Sequence, residues 1–354
     1  MADRLKVGVL GATGLVGQRF IQLLHDHPWF QLEVISASAE KAGMKYSEAT
    51  RWIWSTPLPS SVADMRLCKL SPEKFKGLDI VFSALPSQIA GGFEEKLAKM
   101  GLTVVSNASP MRLEDDIPLV NPEINPEHLK LLEVQRRTRG WKGVIVKNPN
   151  CTTAILTLSL KPLLDEFGLK RVRVATMQAL SGAGYRGVYS MDIMDNIIPF
   201  IKNEEDKVRD ETRKILGSLK GERVKWLDIG VSATCCRVPV LEGHLEAVFV
   251  ELEEKPSDLS EVIKVLETFE GLPQKLKLPT APDKPIIVRS EVDRPQPRLD
   301  RMAYRGMAVT VGRIRWDEAT ENGLKYLVLG SNTIRGAAGA AVLIAELMKA
   351  KGII

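Results

Sequence analysis

Among the four cysteines of the chain, Cys151 has the neighbours that suit chemistry. It stands in Lys147-Asn148-Pro149-Asn150-Cys151-Thr152-Thr153. The pre-proline Asn148 and the small hydroxyl residues read as turn and cap, and the apolar run to Leu160 reads as a buried helix stopped near Pro162. At such a helix N-terminus, backbone N–H groups and the positive end of the dipole face the sulfur. That arrangement lowers a thiol pKa and offers donors to an oxyanion. A packed structural cysteine is the competing reading, because cysteine is among the most buried residue types.

Of the four histidines, His25, His27 and His128 lie in polar segments expected to be exposed, whereas His244 follows Gly243 at the start of a strand. A neutral imidazole there can take a thiol proton or protonate a departing oxygen; hydrogen-bonded scaffold is the alternative. Arg237 sits in an otherwise apolar strand and needs a carboxylate or phosphate, supplied by a ligand or by an internal salt bridge. Gln178 ends a strand before the loop Ser181-Gly182-Ala183-Gly184, where an amide either contacts a ligand or anchors the loop. The run Lys202 to Lys207 reads by itself as a solvated helix face, and the vicinal Cys235 and Cys236 as packing residues.

The elements that must position these groups follow from periodicity. Leu5 to Leu10 is a short buried strand, Gly11-Ala12-Thr13-Gly14-Leu15-Val16-Gly17 a glycine turn, and the pattern through Leu24 a helix. Glycines at Gly11, Gly14 and Gly17 form a variant of the dinucleotide fingerprint, letting backbone amides approach a pyrophosphate at the helix N-terminus. Where an NAD-selective protein places a carboxylate, this chain has Ser36-Ala37-Ser38 with Lys41 behind, which favours a 2′-phosphate and hence NADP; Glu40 keeps NAD open as a weaker alternative.

Further strands at 32–38, 78–85 and 102–107 alternate with helices, so an α/β fold with a Rossmann-type doubly wound parallel sheet is expected over residues 1–150. From Cys151 the pattern changes to longer strands, at 171–179, 231–240, 244–252 and 308–315, with helices grouped apart. These predict an α+β domain over 151–332 with a mainly antiparallel sheet. A small-residue helix in 333–354 is expected to pack back on the first domain.

Composition narrows the function class. At 354 residues, two domains are the default expectation. The contents of 44% hydrophobic and 26% charged residues are those of an ordinary globular chain. A net charge of +5, spread along the sequence, suits small anionic ligands without requiring nucleic acid. The cysteines show no metal-ligand or redox spacing, no export signal is legible, and no apolar run reaches the roughly 18 residues of a membrane span. A cytoplasmic protein without a metal is the expectation.

Taken in order along essentially the whole chain, these motifs resemble aspartate-β-semialdehyde dehydrogenases, specifically their archaeal and fungal branch. The resemblance rests on Gly11 to Gly17, Ser106-Asn107-Ala108-Ser109 with Arg112, Asn148 to Thr153, Gln178 with Ser181 to Gly184, and Glu204 with Lys207. Arg237 to Val240 with Gly243-His244, and Gly330-Ser331-Asn332-Thr333-Ile334-Arg335-Gly336, complete it. It implies Cys151 as the acylated nucleophile, His244 as acid/base catalyst, Gln178 orienting the thioester, and a catalytic part for Asn150. It further implies Arg237 on the substrate α-carboxylate, Glu204 on its amino group, and Lys207 and Arg112 with Asn150 on phosphate.

For NADP the resemblance implies Gly11, Thr13, Gly14, Leu15, Val16, Gly17, Ser36, Ser38, Ser83, Ser181, Gly182 and Asn332. The second domain becomes a catalytic and dimerisation domain, and the protein a homodimer or homotetramer serving lysine, methionine, threonine and isoleucine synthesis. Malonyl- or succinyl-CoA reductases are similar over the full chain, but are expected to lack the equivalents of Asn150, Glu204 and Lys207. N-acetyl-glutamyl-phosphate reductases fit the flanking motifs less well. A catalytically silent nucleotide-binding regulator on the same fold would be expected to lack the cysteine or the histidine.

Overall fold

The computed structural model describes residues 4–354 and lays the chain on two six-stranded sheets. The first is built from Leu5–Leu10 (β1), helix Leu15–Leu24 (α1), Phe30–Ala37 (β2), Cys68–Lys69 (β3), Ile80–Ser83 (β4), helix Ser87–Lys99 (α2), Thr103–Ser106 (β5), helix Leu131–Arg139 (α3) and Val144–Lys147 (β6). Its order is β3-β2-β1-β4-β5-β6 and every pairing is parallel. Every residue of β4, β5 and β6 is buried, as expected for strands covered on both faces. The strand order reverses between β1 and β4, which opens a crevice at their C-terminal ends.

The second sheet follows helix Cys151–Phe167 (α4). It contains Leu169–Gln178 (β7), then, after helix Glu204–Ile215 (α5) and the hairpin Ser218–Lys220 (β8) with Arg223–Lys225 (β9), strands Gly230–Arg237 (β10) and His244–Leu252 (β11). Helix Leu259–Glu267 (α6), Ile286–Arg289 (β12), Val309–Trp316 (β13), Gly323–Gly330 (β14) and helix Gly339–Ala350 (α7) complete the chain. The order is β10-β7-β11-β14-β13-β12. The three central pairings are antiparallel, and the two edge pairings, β10 with β7 and β12 with β13, are parallel.

Alternation along β11 buries His244, Glu246, Val248, Val250 and Leu252 on one face, and α4 contributes Ile155, Leu158, Leu163 and Phe167 to the core that holds the last three. The helix passes through Pro162 instead of stopping there. Proline forfeits one intrahelical bond, but Leu163 and Phe167 beyond it are buried in the core, and that burial offsets the loss. Helix α7 is buried from Gly339 to Met348 and packs with Phe20, Ile21 and Leu24 of α1, so the chain's last helix completes the first core.

Two histidines expected at the surface are interior. His27 Nε2 lies 2.7 Å from Glu346 Oε1. His128 is wholly buried, its Nδ1 accepting from Asn125 at 2.8 Å and its Nε2 lying 3.2 Å from Gly217 O; burial pulls its pKa down to about 4. Their neighbours in sequence are polar, whereas their surroundings are supplied by residues far away in the chain. Among the described residues no helix is long and apolar enough to cross a membrane.

Candidate active site

One end of the second sheet carries a polar row. Arg237 at the end of β10 pairs in register with Gln178 at the end of β7, and His244 opens β11 on the other side of β7, beside the Leu245–Met177 pair. The N-terminus of α4 sits over this row. Asn150 caps it, its Oδ1 accepting from the Thr153 amide at 3.1 Å, which leaves Cys151 as the first helical residue. Cys151 Sγ lies 3.3 Å from His244 Nε2.

The backbone N–H of Ala179 donates to His244 Nδ1 at 3.1 Å. Nδ1 must therefore accept, and the neutral ring carries its proton on Nε2, pointing at the sulfur. In this geometry His244 is a hydrogen-bond donor to Cys151. Taking the thiol proton would require the Ala179 contact to give way. Burial, with Arg237 adding to it, pulls the imidazole down to about 3, so the neutral ring is favoured.

The thiol differs from the expectation of a lowered pKa. Burial first, and the Glu204 carboxylate second, push Cys151 up to about 12, against the opposing effects of Arg237, the Thr152 amide and Arg112. The helix N-terminus does act in the expected direction, but desolvation outweighs it. Two glycines lie close against Cys151, His244 and Arg237. A Cβ on Gly336 would lie 2.6 Å from Cys151 Cβ, and one on Gly182 would lie 2.6 Å from Arg237 Nη1 and 3.1 Å from His244 Cε1.

Helix α5 supplies two buried carboxylates. Glu204 accepts from Asn150 Nδ2 at 2.9 Å and Thr152 Oγ1 at 3.3 Å, with Lys207 Nζ 3.5 Å away. Glu211 accepts from Arg112 Nη1 at 2.9 Å and from the Asn150 amide at 2.6 Å. Asn150 therefore commits both its side-chain amide and its backbone N–H internally, and Cys151 and Thr152 hold the N–H groups at this helix end that donate to no protein oxygen, that of Thr152 facing the Cys151 sulfur. Arg112 keeps a buried Nε without a partner. Arg237 donates to a carbonyl, Ala179 O at 2.7 Å, instead of to a carboxylate; the internal salt bridge allowed by the sequence is not what holds it. Further along β11, Glu246 is fully buried with neither oxygen partnered. Burial and the nearby Glu204 raise its pKa well above the usual carboxylate range, which favours its neutral form.

A cleft of about 460 Å³ gathers Arg112, Asn150, Cys151, Gln178, Glu204, Lys207 and Arg237 on the same wall system as Val16, Ser181, Gly182 and Asn332. Ser181 Oγ and Asn332 are mutually hydrogen-bonded, at 2.8 and 3.1 Å. The dinucleotide turn leads into it. Gly11 has φ +74°, and a Cβ on Gly17 would sit 2.2 Å from Gly11 O, so both are forced by packing. Gly14 is different: the nearest atom to a Cβ there is 3.5 Å away, leaving room over the uncapped N–H groups of Leu15 and Val16. Those donors and that space fit a pyrophosphate.

Ser38 is exposed with Lys41 half-exposed, whereas Ser36 and Ser83 are wholly buried, their hydroxyls without partners. Thr13 and Leu15 stand beside the turn. Sequence reading missed Ser87, Lys202 and Thr333 in the cleft wall and Glu211 behind it. For Glu211 a signal exists: Glu204, Val208, Glu211, Thr212 and Ile215 recur at helical spacing and are all buried.

Two family models match the chain: the semialdehyde dehydrogenase NAD-binding domain over residues 6–132, and the semialdehyde dehydrogenase dimerisation domain over 160–335. The chain is 57% identical over 351 residues to aspartate-semialdehyde dehydrogenase of Archaeoglobus fulgidus, covering 99% of this chain and 100% of the relative. It is 46% identical over 354 residues to that of Schizosaccharomyces pombe, with 98% and 99% coverage. Among solved structures, aspartate semialdehyde dehydrogenase with NADP from Candida albicans superposes with TM-score 0.90 at 43% identity, covering 99% of this chain and 100% of that one. Aspartate semialdehyde dehydrogenase II complexed with ASA from Vibrio cholerae gives 0.77 at 28%, with 99% of each chain covered.

Proposed function

The chain belongs to the aspartate-semialdehyde dehydrogenase family, and on that premise we propose that it converts 4-phospho-L-aspartate and NADPH to L-aspartate 4-semialdehyde, phosphate and NADP, reversibly, through a thioester on Cys151. It is an NADP-dependent oxidoreductase of amino-acid biosynthesis. The observation that carries the residue-level reading is the 3.3 Å Cys151–His244 contact at the head of a cleft that continues to the glycine turn.

In this reading Cys151 Sγ attacks the acyl carbon as its S–H bond and the C–O bond to phosphate break; the thiol proton leaves on the departing phosphate and the acyl group stays on sulfur. The N–H groups of Cys151 and Thr152 are the donors available to the oxyanion that develops. His244 presents Nε2–H to the sulfur and stabilises negative charge there; proton exchange through the ring needs the Ala179 contact to lengthen. Gln178 orients the thioester. Arg237, with guanidinium donors beyond the one used on Ala179 O, takes the α-carboxylate, and Glu204 the ammonium. Arg112 and Lys207 hold phosphate, the former through its unpartnered Nε.

Gly11, Thr13, Gly14, Leu15, Val16 and Gly17 would hold the cofactor pyrophosphate, Ser38 with Lys41 the 2′-phosphate, and Ser181, Gly182 and Asn332 the nicotinamide end, with Ser36 and Ser83 shaping the strand ends. When bound, NADPH supplies the hydride that reduces the thioester; the C–S bond then breaks, releasing the aldehyde, and Cys151 Sγ regains its proton. Covalent capture makes the reduction feasible, because a thioester accepts hydride where a carboxylate resists it.

We further propose division into a cofactor part, residues 1–150 with 333–354, and a catalytic and dimerisation part, 151–332. A homodimer or homotetramer is supported by the large apolar side chains left exposed between β7 and α5, among them Tyr189 (84% exposed) and Met191 (90%), and by the family's dimerisation domain. Four free cysteines suit a cytoplasmic setting.

The test is direct. Purified protein is expected to oxidise L-aspartate 4-semialdehyde in a manner dependent on NADP and phosphate, and Cys151→Ser to abolish it. Turnover of malonyl-CoA with none of the semialdehyde would overturn the substrate reading.

A further inference from the structure

Glu242 lies two residues before His244 and is buried, yet it is not part of the cleft wall. Its carboxylate hydrogen-bonds to two other segments, and Arg301 Nε stands 3.9 Å from Oε2. Arg19 of α1 donates to it through Nη2, at 2.8 Å to Oε1 and 3.0 Å to Oε2. Ser331 Oγ donates at 3.2 Å, and Thr333 Oγ1 makes a further short bond. Arg19 is itself buried; its Nε donates to Thr333 Oγ1 at 3.0 Å, and its guanidinium carbon stacks 3.4 Å from the centre of the Trp54 ring. A fork of this kind fixes direction as well as distance.

Each clamped segment leads to one part of the chemistry. Helix α1 begins at the dinucleotide turn. Gly243, next to Glu242, donates its N–H to Asn332 Oδ1 at 2.9 Å and is followed by His244. The Ser331–Thr333 turn runs into Gly336, against which Cys151 packs. One buried ion pair thus ties the cofactor helix to the segment that carries His244 and to the turn backing Cys151.

We infer that Arg19 and Glu242 form a positioning pair that holds His244 in line with Cys151 and both in line with the cofactor cleft. The inference rests on the functional reading above for its kinetic arm only. Neither residue reaches the reacting atoms; they act through Gly243, Asn332 and the Ser331–Gly336 segment.

The experiment uses Glu242→Gln, Arg19→Met and the double variant in the full-length protein. Glu242→Gln leaves Arg19 buried without its carboxylate, and Arg19→Met leaves Glu242 with Arg301 Nε alone, 3.9 Å away, whereas the double variant removes both charges of the pair and keeps an acceptor for the Ser331 and Thr333 hydroxyls. The first readout needs no cofactor: the rate of iodoacetamide alkylation at Cys151, followed by peptide mass spectrometry across pH 6–10, with melting temperature measured alongside. The second is kcat per titratable Cys151 and the KM for NADPH.

The double variant is expected to regain most of the melting temperature lost by the singles. All three variants are expected to alkylate about 10-fold more slowly at a given pH, with kcat reduced about 10- to 100-fold and the NADPH KM within about threefold of wild type, the scale of effect that slight misplacement of reacting groups produces. Recovery of alkylation and kcat together with melting temperature in the double variant would show a merely structural pair and overturn the inference. So would a raised NADPH KM with kcat and alkylation unchanged. If wild type fails to turn over the semialdehyde, the functional reading falls while the alkylation arm still decides the pair.

Discussion

Replacing Arg237 by methionine separates a ligand contact from a scaffold contact, because the two predict opposite balances of activity and stability. Its guanidinium is buried, its pKa is pulled below its usual value chiefly by desolvation, and its protein partner is a single carbonyl. Had it been half of an internal ion pair, breaking the pair would cost about 3–5 kcal/mol of stability. Here no carboxylate is orphaned. Relief of the desolvation penalty, several kcal/mol, offsets the loss of the bond to Ala179 O, about 1–3 kcal/mol, so melting temperature is expected to stay within about 4 °C. The substrate side is different. Two charge-assisted bonds to a carboxylate, at about 1.5–3 kcal/mol each, sum to about 3–5 kcal/mol once partial replacement by water is allowed, or about 10²- to 10⁴-fold in kcat/KM at 1.36 kcal/mol per decade. Steady-state kinetics with varied semialdehyde and differential scanning calorimetry read the two arms. A kcat/KM within fivefold of wild type, together with a fall of more than 8 °C, would refute the argument and return Arg237 to the scaffold.

Two further outcomes concern titration. Glu204 raises the Cys151 thiol pKa, so Glu204→Gln is expected to lower it and speed iodoacetamide alkylation at pH 8 in the ligand-free protein, while the semialdehyde KM rises; slower alkylation would count against the assigned electrostatics. His128 stays neutral when folded down to about pH 4 but takes a proton near 6.5 when unfolded, so the unfolded state binds more protons between these values and stability falls as pH drops from 6.5 to about 4, by about 3 kcal/mol at its limit. His128→Gln should flatten that segment of the curve in urea titrations; an unchanged slope would show that other groups set it.

Sequence patterns carried the local chemistry further than the long-range chemistry. The strand, glycine turn and helix of residues 5–24 are legible because the turn's glycines are adjacent to the strand they terminate. Cys151 and His244 are legible as candidates for the same reason, each standing at an element boundary. Pro162 misleads because its cost is local and its compensation is tertiary. Glu211, Glu242 and Arg19 are invisible in the sequence because each draws its meaning from distant partners, 61 positions away for Glu211 with Asn150 and 314 for Arg19 with Thr333, and the lowered thiol pKa expected at the helix end reverses because burial is a property of the assembled cleft. The run containing Glu204 reads as a solvated face one residue at a time, yet its helical period puts Glu204 on the buried side.

The enclosure of α7 within the first core sets an order of assembly. Residues 5–147, which make the first sheet, leave the ribosome well before Gly339–Ala350 has been translated. Until that helix arrives, the apolar side of α1, with Phe20, Ile21 and Leu24, has no lid, and the nascent first half carries open hydrophobic surface through synthesis of the entire second half. The half encoded first is therefore the half finished last. A chain cut short before Gly339 lacks the piece that closes it and displays the surface by which chaperones and proteases recognise unfinished protein, so completion of the polypeptide is itself a condition for survival of the cofactor half.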